Sequence, residues 1–343
     1  MSRNIISILG VVGLSACVIG GSIYLQDRER IPEKYYEEMT TREANQDPSK
    51  IKVNNPDEHF VYSYYEPVDY TEAFGDVSEL DGSLEAGAAI LVDADTKTIV
   101  FEKDQDVKMA PASTTKLSTA ITAVNILDMD ERIKVGEEIT MIGAGSSTAG
   151  LSQGEVLTFK ELLQGLLLSS GNDAAYVIAR AAGEKLYYDD IAYENVSITK
   201  EQAVARFVKE MNKNAKDLGL DNTHFLSPDG YDVDGQYTSA KDLSILALTA
   251  LENDEIKEIC GTTSVTTQNG AHTWTTTNEL MHSESRYYYE YAIGLKTGST
   301  DAAGKCLVSA AEKDGKTCIS VVLNSTTEGR YEDSLKLLKY FEE

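Results

Sequence analysis

The stretch "APASTTKLSTAITAVNIL", residues 110–127, decides how the chain is read. Ser113 stands one helical turn ahead of Lys116, and an apolar helix pattern follows. Side chains three apart on a helix face the same way, so this hydroxyl and amine meet if the serine opens the helix. Pro111 supports that placement, because proline is tolerated in a first helical turn and not inside a helix. A nucleophile and a base on one turn form the minimal kit for acyl transfer.

Outward from that helix, two kinds of segment alternate. Before it, "AGAAILVDADTKTIVFEKD" (86–104) carries two β-rich runs around "DADTK", a hairpin signal. After it come helices. Thr158 and Glu161 form a capping box, and that helix ends near Ser169-Ser170-Gly171. An Ala-rich helix follows Asn172, another is capped by Thr199 and Gln202 and stopped at Gly219, and "TSAKDLSILALTALEN" (238–253) is a further one. Then strands return: "TSVTTQ", "YAIGLKTGS" and "KCLVSAAEKDGKTCISVVLN", closed by the helix "YEDSLKLLKYFEE". Strands from both ends must meet in one mostly antiparallel sheet flanked by helices, with an all-helical lobe from the middle. The fold class is therefore α/β in the α+β sense. The turn "KDGK" pairs residue 311 with 318, which separates Cys306 from Cys318 and argues against a bridge there.

The chain has 343 residues, 42% hydrophobic and 25% charged, which is globular composition with room for one large core or two modest ones. Its net charge of −25 argues against nucleic acid as a partner. Four cysteines (17, 260, 306 and 318) and four histidines (59, 224, 272 and 282) show no zinc-type spacing, so no metal is expected. Residues 5–25, "IISILGVVGLSACVIGGSIYL", carry no charge and are long enough to span a bilayer core of about 30 Å. Arg3 and the amino terminus precede them, favouring a single-pass anchor with the bulk of the protein outside the cytoplasm. "LSAC", with Cys17 as lipid acceptor, and a cleaved signal are the alternatives. Residues 27–82 form an acidic, Tyr-rich linker in which "FVYSYYEP" would dock as an extended strand or belong to a spacer. The expected division is anchor 1–26, linker 27–82 and catalytic domain 83–343.

Ser-x-x-Lys alone is a cheap pattern. It recurs at Ser197-Ile198-Thr199-Lys200, where Thr199 is better explained as a helix cap, and Ser2-Arg3-Asn4 repeats Ser-x-Asn. The specific signal is three elements in order: Ser113-Thr114-Thr115-Lys116, Ser170-Gly171-Asn172 and Lys296-Thr297-Gly298. With "PASTTK", "LLLSSGNDAA", "NTHFLSPDG", "YTSAKDLSILA", "KTGSTDAAGKCLVSAAEKDG" and "VVLNSTTEGR", the chain from Ala86 to Glu343 resembles the low-molecular-mass penicillin-binding proteins of the D-alanyl-D-alanine carboxypeptidase type. These serine peptidases share a fold with class A β-lactamases.

The resemblance implies a nucleophile at Ser113, its base at Lys116 and a proton relay at Ser170. A lysine serves as base only when neutral, so burial and a second cation, Lys296, are expected to lower its pKa. Asn172, Lys296, Thr297, Gly298, Ser299 and Arg330 would bind substrate. The backbone N–H groups of Ser113 and Ser299 would form an oxyanion hole, and Thr297 would meet the substrate's terminal carboxylate with help from Arg330. The peptide would add to the "KTGST" strand as an extra strand, Gly298 leaving room for it. Singly, each has a plain structural reading. Ser113, Ser170 and Asn172 would be helix caps, Lys296 a solvated edge lysine and Arg330 a surface charge. Trp274 and Tyr287–Tyr289 would rim the groove or pack, and His224 would pack.

The implied activity is removal of the terminal D-alanine from peptidoglycan stem peptides through a Ser113 acyl-enzyme, without a cofactor. β-Lactams are expected covalent inhibitors. One alternative is a serine β-lactamase. Its second motif would be Ser-Asp-Asn, and the chain between the second and third motifs is expected to lack the deacylating Glu-x-x-x-Asn. The other is a catalytically idle, penicillin-recognising sensor, against which the intact Ser113, Lys116 and Lys296 argue. Many relatives carry a second β-rich domain and a C-terminal amphipathic anchor. Here the last helix runs to Glu343, and the expectation is that residues 5–25 take over anchoring.

Overall fold

A computed structural model of the chain describes residues 65–73, 80, 84–190 and 198–341. Strands from the two ends of the domain lie side by side at its centre. Residues Ala88–Asp93 (β2) pair antiparallel with Lys316–Ser325 (β10), Ile90 facing Val321 across the ladder. Around them the sheet runs β1-β3-β2-β10-β9-β8, with β1 at Thr71–Glu72, β3 at Thr98–Lys103, β8 at Ala292–Thr300 and β9 at Gly304–Lys313. All neighbours are antiparallel except β1, which runs parallel to β3. The KDGK turn sets Cys318 opposite Ala311, and Cys260, Cys306 and Cys318 are buried free thiols.

Strand side chains alternate between faces, and the two faces of this sheet are filled separately. Ala89, Leu91, Phe101 and Leu307 pack with Tyr331, Leu337 and Leu338 of the last helix, Gly329–Tyr340 (α7). Ile90, Val92, Val308 and Val321 face the helical lobe. That lobe is built on Thr115–Ala123 (α1), whose nine residues are all buried. A helix buried on every side belongs in the middle of a core. Around it lie Phe159–Leu167 (α2), Asn172–Asp190 (α3), Lys200–Asp217 (α4), Ala240–Glu252 (α5) and Asp254–Cys260 (α6). The capping boxes expected at Thr158/Glu161 and Thr199/Gln202 are both formed. Arg132–Lys134 (β4) and Val156–Thr158 (β5) make a small ladder beside α2.

Two segments differ from the sequence reading. "TSVTTQ" does not join the main sheet. Its Ser264–Thr266 (β6) pairs only with Thr273–Thr275 (β7), a short hairpin whose buried Trp274 packs against the lobe. The stretch 65–73, assigned above to the linker, lies on the domain. The Tyr65 hydroxyl donates to Ile121 O (3.2 Å) and accepts from Asn125 Nδ2 (2.6 Å). Ser244 Oγ donates to the Tyr70 hydroxyl (3.2 Å), and Thr71–Glu72 extends the sheet as β1. Paired polar groups and buried aromatic area hold this piece down where composition alone suggested a spacer. Residues 5–25 and Cys17 lie outside the described residues, and among those described no helix is long and apolar enough to cross a membrane.

Helices α3 and α4 touch backbone to backbone: a Cβ on Gly183 would sit 1.8 Å from Ala203 O. Gly183→Ala must push the two helices apart, at an expected cost of about 2 kcal/mol. A thermal melt of the variant should fall by about 5 °C, and an unchanged midpoint would refute the close approach.

Candidate active site

Three segments converge at the junction of lobe and sheet. Ser113 sits in a 3₁₀ turn, Ala112–Thr114, that leads into α1, and Lys116 is one turn further on. Thr114 Oγ1 fixes the turn by donating to Pro111 O (2.6 Å). No side-chain cap bond is made at the start of this turn or of α1, so the serine is not spent on a helix end. Ser170 lies between α2 and α3 with φ +59°, and Asn172 opens α3. Lys296, Thr297 and Gly298 lie on β8, the outermost strand of the sheet order.

The contacts join these segments directly. Lys116 Nζ is 2.9 Å from Ser113 Oγ, 2.7 Å from Asn172 Oδ1 and 2.7 Å from Asp229 O. Lys296 Nζ is 2.9 Å from Ser170 Oγ and 2.8 Å from Thr297 O. Both lysines are fully buried, so Lys296 is no solvated edge lysine. A Cβ on Gly298 would come within 3.1 Å of Ala112 Cβ, so the bare glycine lets β8 lie against the nucleophile's turn. Arg330 Nη1 donates to Gly298 O (3.3 Å), and its guanidinium stacks over the Tyr331 ring. Ser299, beside it, is exposed and accepts from Lys305 Nζ.

Burial dominates the electrostatics. It lowers Lys116 to about 8, while the Asp229 and Asp173 carboxylates pull the value back up. Burial also lowers Lys296 well below the usual lysine range, and positive charge on Lys116 adds to that, as does Arg330. The sequence reading gave the lowering of Lys116 to burial and to Lys296 as a second cation. Burial is the leading cause in the structure, and the charged neighbours that act on Lys116 are carboxylates that oppose it. Burial thus disfavours the charged form of both amines.

Several residues at the site carry no motif signature. Asp229 is fully buried and presents its carbonyl to Lys116 from the loop that follows "HFL". The loop reaches so close because Gly230 has φ +79° and any Cβ there would lie 1.8 Å from Ala112 O. Asp173 accepts from Ala149 N (2.7 Å) and Leu151 N (3.0 Å), and Trp274 Nε1 donates to Ala149 O (2.8 Å). Together they hold the 146–151 loop over the site, where Ser146 Oγ accepts from Asn172 Nδ2 (2.9 Å). Thr277 places its hydroxyl 2.6 Å from that of Thr297. The quoted "SPDG" was the one signal available for Asp229; hydroxyls in "GAGSST" and "TTTN" look like any polar loop.

Other candidates fall away from the centre. Tyr287 and Tyr289 are buried on the α7 face, Tyr288 is exposed, and His224 pairs through its backbone with Tyr237. Ser197 lies outside the described residues, and Thr199 beside it is the helix cap. The segment read as lacking Glu-x-x-x-Asn does contain one, Glu210–Asn214. It lies within α4, with Glu210 bound to Arg206 (2.9 Å) and Asn214 donating to Thr122 at the other end of α1. Among the described residues no cluster of metal-ligating side chains is assembled.

Comparison with known proteins fits this geometry. The profile of the D-alanyl-D-alanine carboxypeptidase family matches residues 76–187 and 197–327. A D-alanyl-D-alanine carboxypeptidase of Bacillus subtilis, DacF, is 33% identical over 71% of this chain and 58% of its own length. One from Streptomyces sp. K15 is 34% identical over 71% of this chain and 83% of its own. This chain thus spans about three fifths of the Bacillus relative. The crystal structure of the Streptomyces K15 DD-transpeptidase superposes with a TM-score of 0.66 at 32% identity, covering 75% of this chain and 97% of that one. Penicillin-binding protein D2 of Listeria monocytogenes, in its ampicillin-bound form, gives 0.62 at 31%, covering 77% and 100%. The fold is thus that of the DD-peptidases, and the chain belongs to the D-alanyl-D-alanine carboxypeptidase family.

Proposed function

We propose that this chain is a serine D-Ala-D-Ala carboxypeptidase that removes the terminal D-alanine of peptidoglycan stem peptides. The observation that carries the reading is the coordination of Lys116. A neutral amine has two N–H bonds and one lone pair. Asn172 Oδ1 and Asp229 O, both acceptors at 2.7 Å, take the two N–H groups. The lone pair is left for Ser113 Oγ at 2.9 Å, which is the geometry of a general base on its nucleophile. The Nδ2 end of the Asn172 amide donates to Ser146 Oγ (2.9 Å).

In this mechanism Ser113 Oγ attacks the carbonyl carbon of the scissile D-Ala–D-Ala bond and its proton passes to Lys116. Backbone N–H groups of Ser113 and Ser299 stabilise the oxyanion. The tetrahedral adduct collapses, the C–N bond breaks, and the proton on Lys116 passes through Ser170, supported by Lys296, to the departing amine, which leaves Lys116 neutral again. Water then attacks the ester, giving a proton to Lys116, and Lys116 returns it to Ser113 Oγ as the ester C–O bond breaks. The substrate lies as an added strand along β8, with Asn172 Nδ2 on its backbone and Thr297 and Arg330 at its terminal carboxylate. β-Lactams would acylate the same serine. Catalysis draws on no cofactor in this scheme. The uncharged run 5–25 would tether the domain outside the cytoplasm, where this substrate lies, with 27–64 as spacer.

Two measurements test the reading. Release of D-alanine from a D-Ala-D-Ala peptide should fall at least about 10³-fold in Ser113→Ala and persist in Ser197→Ala; residual turnover in the first variant would refute the nucleophile. Lys116 gains its neutral form as pH rises through about 8. Acylation by a fluorescent penicillin should therefore climb about tenfold per pH unit below that value and level off above it. A rate independent of pH over that range would remove Lys116 as base.

A further inference from the structure

Thr277 belongs to none of the three motifs, yet it stands where lobe, sheet and last helix meet. Its N–H donates to Leu168 O (3.2 Å), at the end of α2 and two residues before Ser170. Its carbonyl accepts from the Tyr331 hydroxyl of α7 (3.2 Å). The next residue, Asn278, is fully buried and donates to Gly294 O (3.2 Å) and Ser309 Oγ (3.1 Å). The backbone of Thr277 is thus fixed from three directions. Its side chain is the exposed one between the buried Thr276 and Asn278, and its hydroxyl lies 2.6 Å from Thr297 Oγ1.

A threonine hydroxyl both donates and accepts, and its rotor is free unless a partner fixes it. A carboxylate only accepts. For Thr297 to serve a carboxylate, its proton must point at the ligand and its lone pairs must point elsewhere. We propose that Thr277 is a positioning residue for carboxylate recognition: its O–H donates to Thr297 Oγ1, leaving the Thr297 proton for the substrate. The chained donation also polarises the Thr297 hydroxyl and strengthens its outgoing bond. Thr277 so selects substrates that end in a free carboxylate. The proposal rests on the reading that Thr297 meets that carboxylate.

The test compares acylation of the full chain by benzylpenicillin and by its methyl ester, as second-order rate constants. Thr277→Val keeps the shape and removes the hydroxyl. It should lose about tenfold with the free acid and little with the ester, while Thr277→Ser stays within about twofold of wild type for both. Equal losses with acid and ester, or no loss with either, would overturn the proposal. Thr297→Val separates the two readings. If that variant still prefers acid over ester, carboxylate contact by Thr297 fails, and the proposal with it. If Thr297→Val abolishes the preference but Thr277→Val retains it, the role of Thr297 stands and that of Thr277 falls.

Discussion

A lysine amine stripped of water must find its acceptors inside the protein, or the cost of burial falls on folding. Lys116 finds its hydrogen-bond partners in the turn that leads into its helix, at the head of α3 and in the 227–230 loop, at sequence separations of 3, 56 and 113 residues. No local segment can supply that set. The α1 helix must therefore be the centre of the lobe, and α3 and the loop must be brought against it to within hydrogen-bonding distance. Lys296 repeats the demand from the sheet side through Ser170 and its own strand. The two amines lie on opposite sides of one seam, Lys116 on the lobe and Lys296 on the sheet.

The seam is also where the backbone departs from easy conformations. Ala112, Ser170 and Leu295 have φ of +48°, +59° and +84°, and each adjoins or belongs to one of the three motifs. Left-handed conformations cost a residue with a Cβ on the order of 1–2 kcal/mol. Elsewhere Lys97 and Asp314 adopt them in hairpin turns, where the turn itself requires it. At the motifs the packing of α1 and of the central strands over-determines the backbone. The stable core holds four serine and lysine side chains, Ser113, Lys116, Ser170 and Lys296, in register.

The sequence made much of this legible because the relevant signals are local. Period-2 and period-3.6 apolar runs, two capping boxes and one Gly-containing turn yielded the sheet, the lobe and the Cys318 register. Ser113, Ser170 and Lys296 were found because each lies in a short motif and the order of the three is informative. What stayed hidden is contact between distant polar loops. Asp173 and Trp274 act by holding a loop of small residues, and Ser146 and Thr277 act through single hydroxyls; none leaves a periodicity. The charged neighbours of Lys116 were also out of reach. Which charges surround Lys116 depends on the path of the 227–230 loop, and spacing along the chain does not contain it. For the stretch 65–73 the sequence left docking and spacer open, because an acidic composition does not reveal the paired tyrosines that hold it on the domain.

The placement of β8 at the margin of the sheet has a consequence for how the molecule behaves in company. A bare strand margin is a template for pairing with any extended chain, other copies included. Here the opposite margin carries Thr71–Glu72 along β3. The β8 margin is overhung by the turn at 112–114, with Ala112 close above Gly298. The turn that carries Ser113 thus also lies against this margin and leaves less of it open to pairing with another copy.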